Sequence, residues 1–249
     1  MAGVLITEEV TLPSLIQHLT RDFCTYLQEV LARQNRFTWV LSGGHTPRQF
    51  FEALADEPYR STLPWSKIWI FWGDERPVPP THAESNFRMA QDALLQHVPI
   101  PINQIFRMQG ELPPAEAARD YENQLRFVFG SSIAWPVFDL ILLGMGPDGH
   151  TASLFPGTQA LAERQRWVVD NAVPALNTTR LTLTLPVLNH AQRVWFLVTG
   201  IEKADVFLKV QAAADARYPA SLIKPVSGHL HWYVDASLRR HPGVSPGPH

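Results

Sequence analysis

Cysteine is almost missing from this chain: Cys24 is the only one among 249 residues. A lone thiol excludes an internal disulfide framework and a cysteine-based zinc site. Long apolar runs are missing too. No stretch approaches the ~20 residues needed to span a bilayer, so no membrane partner is expected. The opening MAGVLITEEV lacks the basic segment and apolar stretch of a secretory signal. A cytoplasmic location is the expectation. Neither sign of charge dominates, because 21 Lys and Arg face 23 Asp and Glu for a formal charge of −2. The basic excess of a polyanion binder is therefore absent, and nucleic acid is not an expected partner. Internal repeats and low-complexity core segments are absent as well.

What is present reads as an α/β protein. Leu15, Ile16, Leu19, Phe23, Tyr26, Leu27, Val30 and Leu31 recur at helical spacing, predicting a long amphipathic first helix that carries Cys24 into the core. Short apolar runs then follow at Phe37–Leu41, Ile68–Trp72, Phe138–Leu143, Trp167–Val169, Leu181–Leu185, Val194–Val198 and Leu230–Val234. Helical patterns separate several of them, at Pro47–Ala55, Ser85–His97, Pro114–Phe129 and Glu202–Ala214. Strands interleaved with helices predict a Rossmann-like, mostly parallel sheet flanked by helices on both faces. Leu181–Leu185 alternates strictly with threonine, which gives that strand one polar or ligand-facing side. Residues 1–240 are expected to form one domain and 241–249, rich in Pro and Gly, a disordered tail.

The most informative run is DLILLGMGPDGHTASLFPG, residues 139–157. A buried strand delivers Asp148 and His150 into a glycine-rich turn, and strand ends are where open α/β sheets put their chemistry. A carboxylate two residues from an imidazole is a candidate acid–base pair. The run also matches G-x-G-x-x-G, with Asp170 at the offset of a ribose ligand. That fingerprint needs a helix opening directly from the glycines. Pro147 stiffens the loop and Pro156-Gly157 interrupts the chain soon after, so no nicotinamide cofactor is expected.

Two further motifs sit at strand ends. In TWVLSGGHTPRQFF, residues 38–51, a strand turns through Ser42-Gly43-Gly44 into a helix. Thr46, Pro47 and Gln49 fit an N-cap, a first-turn proline and a capping box. Free backbone N–H groups beside a positive helix end suit a phosphate, and His45 lies beside them. The alternative is a plain strand–helix turn. No Gly-Lys-[ST] follows, so this is not a Walker A loop. In IWIFWGDERPVPPTHAESNFRMA, residues 68–90, an aromatic strand ends in Gly73-Asp74-Glu75-Arg76, and Ser85-Asn86 opens a helix beyond a proline loop. Arg180 and Lys203 lie near strand edges where they can reach an anion, or be solvated surface charges. His229 and His231 share a strand face, a zinc-compatible spacing with no third ligand in register. No metal is expected.

Together LSGGHTP (41–47), GDERPVPPTHAESN (73–86), GMGPDGHTASLFPG (144–157), RLTLTLPVLNHA (180–191) and GIEK (200–203) resemble the 6-phosphogluconolactonases and their relatives, the glucosamine-6-phosphate deaminases. The resemblance runs from about residue 38 to Asp235. It implies hydrolysis of a sugar-phosphate lactone at the strand C-termini, without cofactor. It implies that Ser42, Gly43, Gly44, His45, Thr46, Arg180 and Lys203 hold the 6-phosphate, that Arg76 contacts it or stabilises developing charge, and that Asp74 and Asn86 line the sugar. His150 would be the general base and Asp148 its orienting partner. The deaminases continue into a Phe-Asn-Glu-Pro segment whose glutamate assists ring opening; here Phe155 stands at that glutamate. The alternatives are a deaminase-like enzyme and a non-catalytic sugar-phosphate sensor. The expected partner is the small molecule alone, in a monomer or small homo-oligomer.

Overall fold

Burial on both faces along three central strands is what sets the architecture. In the computed structural model, which describes residues 4–212 and 214–239, Trp39, Leu140, Leu142, Trp195 and Leu197 pack on one face of a sheet, and Val40, Ile141, Leu143, Val194 and Phe196 on the other. Strands buried on both faces belong to a parallel sheet covered by two layers. The strands are β1 (Val4–Glu9), β2 (Phe37–Leu41), β3 (Ile68–Trp72), β5 (Leu140–Leu143), β8 (Arg193–Val198) and β9 (His229–Asp235), with β4 (Asp74–Glu75), β6 (Val168–Val173) and β7 (Thr178–Leu183) elsewhere. The six-stranded sheet runs β1-β9-β8-β5-β2-β3, and every pairing in it is parallel.

Helices cover both faces, as expected. On one side lie α1 (Leu12–Leu31) and α2 (His45–Ala55), whose Leu15, Leu19, Phe23, Phe50 and Phe51 are fully buried against Trp39. Burying side chains of this size contributes about 1.5–3 kcal/mol each. Thr11 caps α1 reciprocally with Ser14, and Pro13 occupies the first turn. Cys24 lies half-buried on this helix, and burial raises its thiol pKa to about 11. The chain continues through the short α3 (Tyr59–Thr62), α4 (Asn86–Ala90), α5 (Pro114–Phe129), α6 (Leu185–Asn189) and α7 (Ala204–Ala212). α5 packs on the opposite face through Ala117, Tyr121 and Leu125.

The structure differs from the reading of the sequence at four points. Trp167–Val169 and Leu181–Leu185 do not join the parallel sheet. They become β6 and β7, an antiparallel pair joined to β4 in a three-stranded sheet of their own. Val173 pairs with Thr178, leaving only residues 174–177 for the turn, with Asn177 left-handed at φ +46°. A parallel crossover needs a dozen residues or more, so a hairpin is the only option. Leu185 leaves the strand to begin α6, with Pro186 in its first turn. Second, Val4–Glu9 is an edge strand paired with β9, although its apolar residues stay largely exposed. Third, the 85–97 helix is shorter and not uniformly α. Ser85 caps α4, and residues 91–95 continue it as a π-helical turn. Fourth, α2 has no capping box: its N-cap is Gly44, and Thr46 Oγ1 instead meets Thr199 Oγ1 at 2.9 Å.

The 241–249 tail lies outside the described residues. Among those described, no helix is long and apolar enough to cross a membrane.

Candidate active site

The C-terminal ends of β2, β3, β5 and β8 release four loops toward one another, the position where open α/β sheets bind ligands. A cavity of about 210 Å³ there is lined by Ser42–Pro47, Asp74, Arg76, Asn86, Gly144–Gly146, His150 and Lys203, among others. A second cavity of about 410 Å³ adjoins it and is lined by Asp148, Phe155, Leu176 and Arg180. Asp74, Arg76, His150 and Ala152 border both. Larger concavities exist, including one of about 900 Å³ around Thr38, Asp139 and Arg193 at the opposite ends of the strands. There Asp139 is consumed by Thr38, accepting from its N–H at 2.8 Å and its hydroxyl at 2.7 Å. Convergence of chemistry, rather than size, selects the site.

His150 forms a close pair with Asp148 in it. Its Nδ1 lies 2.6 Å from Asp148 Oδ1, which also accepts the His150 backbone N–H at 3.1 Å. Burial works against the Asp148 charge, but hydrogen bonds from His150 outweigh it and leave its pKa below the ordinary carboxylate range. An ionised carboxylate only accepts, so the shared proton sits on Nδ1; in the neutral ring that leaves the lone pair on Nε2. The turn makes this geometry possible. Gly149 has φ +79° and lies against Tyr218, while its carbonyl accepts from Ala220 N–H at 2.8 Å. After the glycines the chain makes a Thr151–Leu154 bridge instead of a helix. The G-x-G-x-x-G match therefore lacks its pyrophosphate helix, and Asp170 sits in β6, paired with Leu181.

The second loop is pinned by carboxylates. Asp74, nearly buried, accepts from Ser153 Oγ at 2.6 Å and from Asn86 Nδ2 at 3.3 Å. Glu75 is more deeply buried. It accepts the backbone N–H groups of Arg76, Asn86 and Phe87 and the Ser85 hydroxyl. Desolvation raises its pKa, partly offset by those N–H donors. Arg76 donates Nη1 to the Glu84 carbonyl, and Glu75 and Glu84 thus hold the loop stiff from both sides.

The Ser42-Gly43-Gly44 turn meets the second loop directly. A Cβ on Gly43 would lie 1.9 Å from Asn86 Oδ1, so only glycine permits this approach. His45 is exposed at the rim, with Nε2 3.2 Å from Gln49 Nε2. Lys203 reaches the same cavity from a 3₁₀ turn at the end of β8. Arg180 does not share it: it lines the adjoining cavity, where burial first and then the Arg76 charge lower its pKa. The two cations expected on one anion thus stand on different walls of a divided site. His231 engages Thr7 at 2.8 Å and stacks on Tyr233, while His229 is exposed.

Sequence pattern gives no hint of three supports: Ser153 on Asp74, the Glu75 network, and the Tyr218–Ala220 clamp behind Gly149. The nearest signal is a serine beside apolar residues and a charged cluster directly after an aromatic strand, which burial forces to find partners.

A family model described as glucosamine-6-phosphate isomerases/6-phosphogluconolactonase matches residues 11–232. The chain belongs to this family. Within it, the chain is 42% identical over 217 residues to a 6-phosphogluconolactonase of Nostoc sp., covering 86% of this chain and 88% of that one. It is 41% identical over 236 residues to a 6-phosphogluconolactonase of Synechocystis sp., covering 93% and 94%. Among solved structures, 6-phosphogluconolactonase from Trypanosoma cruzi superposes with a TM-score of 0.86 at 28% identity, covering 98% of this chain and 99% of that one. The family description spans two activities, so membership alone does not choose between them.

Proposed function

We propose that the protein hydrolyses 6-phospho-D-glucono-1,5-lactone to 6-phospho-D-gluconate, with His150 as general base. The observation that carries this reading is the His150–Asp148 pair at 2.6 Å, whose Nε2 makes no hydrogen bond with a described residue, on the wall common to two cavities. The relatives' name supports the substrate class.

In this reading Nε2 takes a proton from water as the water oxygen bonds to the lactone carbonyl carbon. The carbonyl becomes an oxyanion facing the Arg76 side. Collapse breaks the bond to the ring oxygen, which takes the proton back from the imidazolium as the 5-hydroxyl. The new carboxylic acid then ionises in solution. Acid–base assistance of this kind supplies ~10²–10⁴-fold, and an aimed cation or donor adds about 10²–10³-fold at the oxyanion. The balance needs only water. The glycine cradle with Lys203 is proposed to hold the 6-phosphate, which orients a carbonyl several bonds away. Asp74 and Asn86, locked on one another and on Ser153, are proposed to bind sugar hydroxyls. Arg180 is proposed to close the phosphate site from its own wall on binding.

The choice against a deaminase rests on Phe155. A ring-opening step needs a proton-transferring group at that position, and a phenyl ring has none. The test measures acid release from freshly made 6-phosphogluconolactone above the uncatalysed background, with ammonia release from glucosamine 6-phosphate run alongside. Lactone opening without ammonia is expected; ammonia without lactone opening refutes the assignment.

A further inference from the structure

Phe155 does more than stand where a glutamate is absent. Its ring stacks on the His150 imidazole, with centroids 4.2 Å apart and planes 26° from parallel. Phe155 is buried at 8% exposure, whereas the His150 side chain is 28% exposed. The backbone that carries the phenyl ring is held independently of the imidazole. The Thr151–Leu154 bridge, with Ala152 in the left-handed region at φ +46°, folds the chain back over His150. The Leu154 N–H donates to the Thr151 carbonyl at 2.9 Å, and Leu154 is fully buried in the core. On the far side, the Phe155 carbonyl accepts the Thr158 hydroxyl at 2.8 Å.

A hydrogen bond at Nδ1 fixes one end of an imidazole and leaves the ring free to tilt about that contact. The χ2 torsion of histidine is broad, so it does not correct the tilt. Asp148 is itself 46% exposed, a movable partner for so demanding a task. Tilt displaces Nε2, the atom that must meet the water. Offset stacking removes this freedom, because aromatic faces in contact favour a defined arrangement.

We propose that Phe155 is a positioning residue that holds the His150 ring so that Nε2 meets the attacking water. This rests on the reading of His150 as the base. The test compares Phe155→Leu, Phe155→Tyr and His150→Ala with the wild type. Misplacement of a reacting group by ~1 Å costs up to about 10²-fold. Phe155→Leu is therefore expected to lower kcat about 10- to 100-fold while KM stays within about twofold. Phe155→Tyr keeps the ring face and should restore most of kcat. Ring-current shifts on the His150 carbon-bound protons in ¹H–¹³C spectra should be present in the wild type and Phe155→Tyr and absent from Phe155→Leu. Phe155→Met, nearer in volume, replaces the leucine variant if that one does not fold.

Three results overturn the proposal: an unchanged kcat in the leucine or methionine variant, a raised KM at unchanged kcat, or a tyrosine variant as slow as the leucine one. His150→Ala separates the two levels. If it retains turnover, the base assignment fails. If it is inactive while Phe155→Leu is normal, only the positioning role fails.

Discussion

Substituting Gly146 with Ala perturbs the base without touching its chemistry. Gly146 opens the turn that Gly149 closes, accepting the Gly149 N–H at 3.0 Å, and its own N–H donates to the His150 carbonyl at 2.9 Å. A Cβ added there would lie 2.2 Å from both Cε1 and Nδ1 of His150 and 2.9 Å from Asp148 Oδ1. Ordinary contact begins near 3.4 Å, so the ring must retreat by about 1.2 Å. Phe155 already stacks on one face of that ring and Asp148 holds one edge, so the displacement reaches Nε2. A shift of that size at a reacting atom corresponds to about 10²-fold in kcat. Stability should change little, because the His150 side chain is partly exposed and borders the cavity into which it can yield. Steady-state lactone hydrolysis, corrected for background opening, reads kcat and KM, and a thermal melt reads the fold. The reasoning is refuted if Gly146→Ala folds normally and retains kcat within about threefold of wild type.

Lys203→Ala should raise KM for the phosphorylated lactone while leaving turnover of the dephosphorylated lactone unchanged; an unaltered KM counts against the cradle as the phosphate site. Glu75 gives a pH prediction with a definite sign. Its pKa is raised by burial, so the folded state holds its proton more tightly than the unfolded chain. Its contribution to stability is full below the ordinary glutamate pKa of 4.5 and is lost as pH rises through the folded value. Glu75→Gln should flatten the fall of Tm across that window, and parallel Tm–pH curves for the two proteins contradict the assignment.

Much of the fold was legible because both-face burial leaves uninterrupted apolar runs such as Leu140–Leu143. The first helix was legible because its apolar face repeats at helical spacing. The hairpin was harder. Val168–Val173 and Thr178–Leu183 carry strand propensity whichever sheet they join, and only the shortness of the 174–177 link decides their direction. The edge strand escaped notice because its Val4 and Leu5 stay half-exposed and so give no burial pattern. At the site, Asp148 and His150 were legible as a pair because two residues on a glycine turn meet regardless of tertiary context. The partnership of Ser153 with Asp74 joins residues 79 positions apart and depends on how two loops dock. Arg180 and Lys203 carry no local signal of which cavity they enter; β7 and the 3₁₀ turn after β8 decide that.

The most direct measurement is the rate of 6-phosphogluconolactone opening by His150→Ala, taken on folded protein at saturating lactone. If Nε2 removes the proton from water, turnover should fall by ~10²–10⁴-fold while KM is nearly preserved. A variant that opens the lactone within about threefold of the wild-type rate would contradict the account, because another group would then be activating the water.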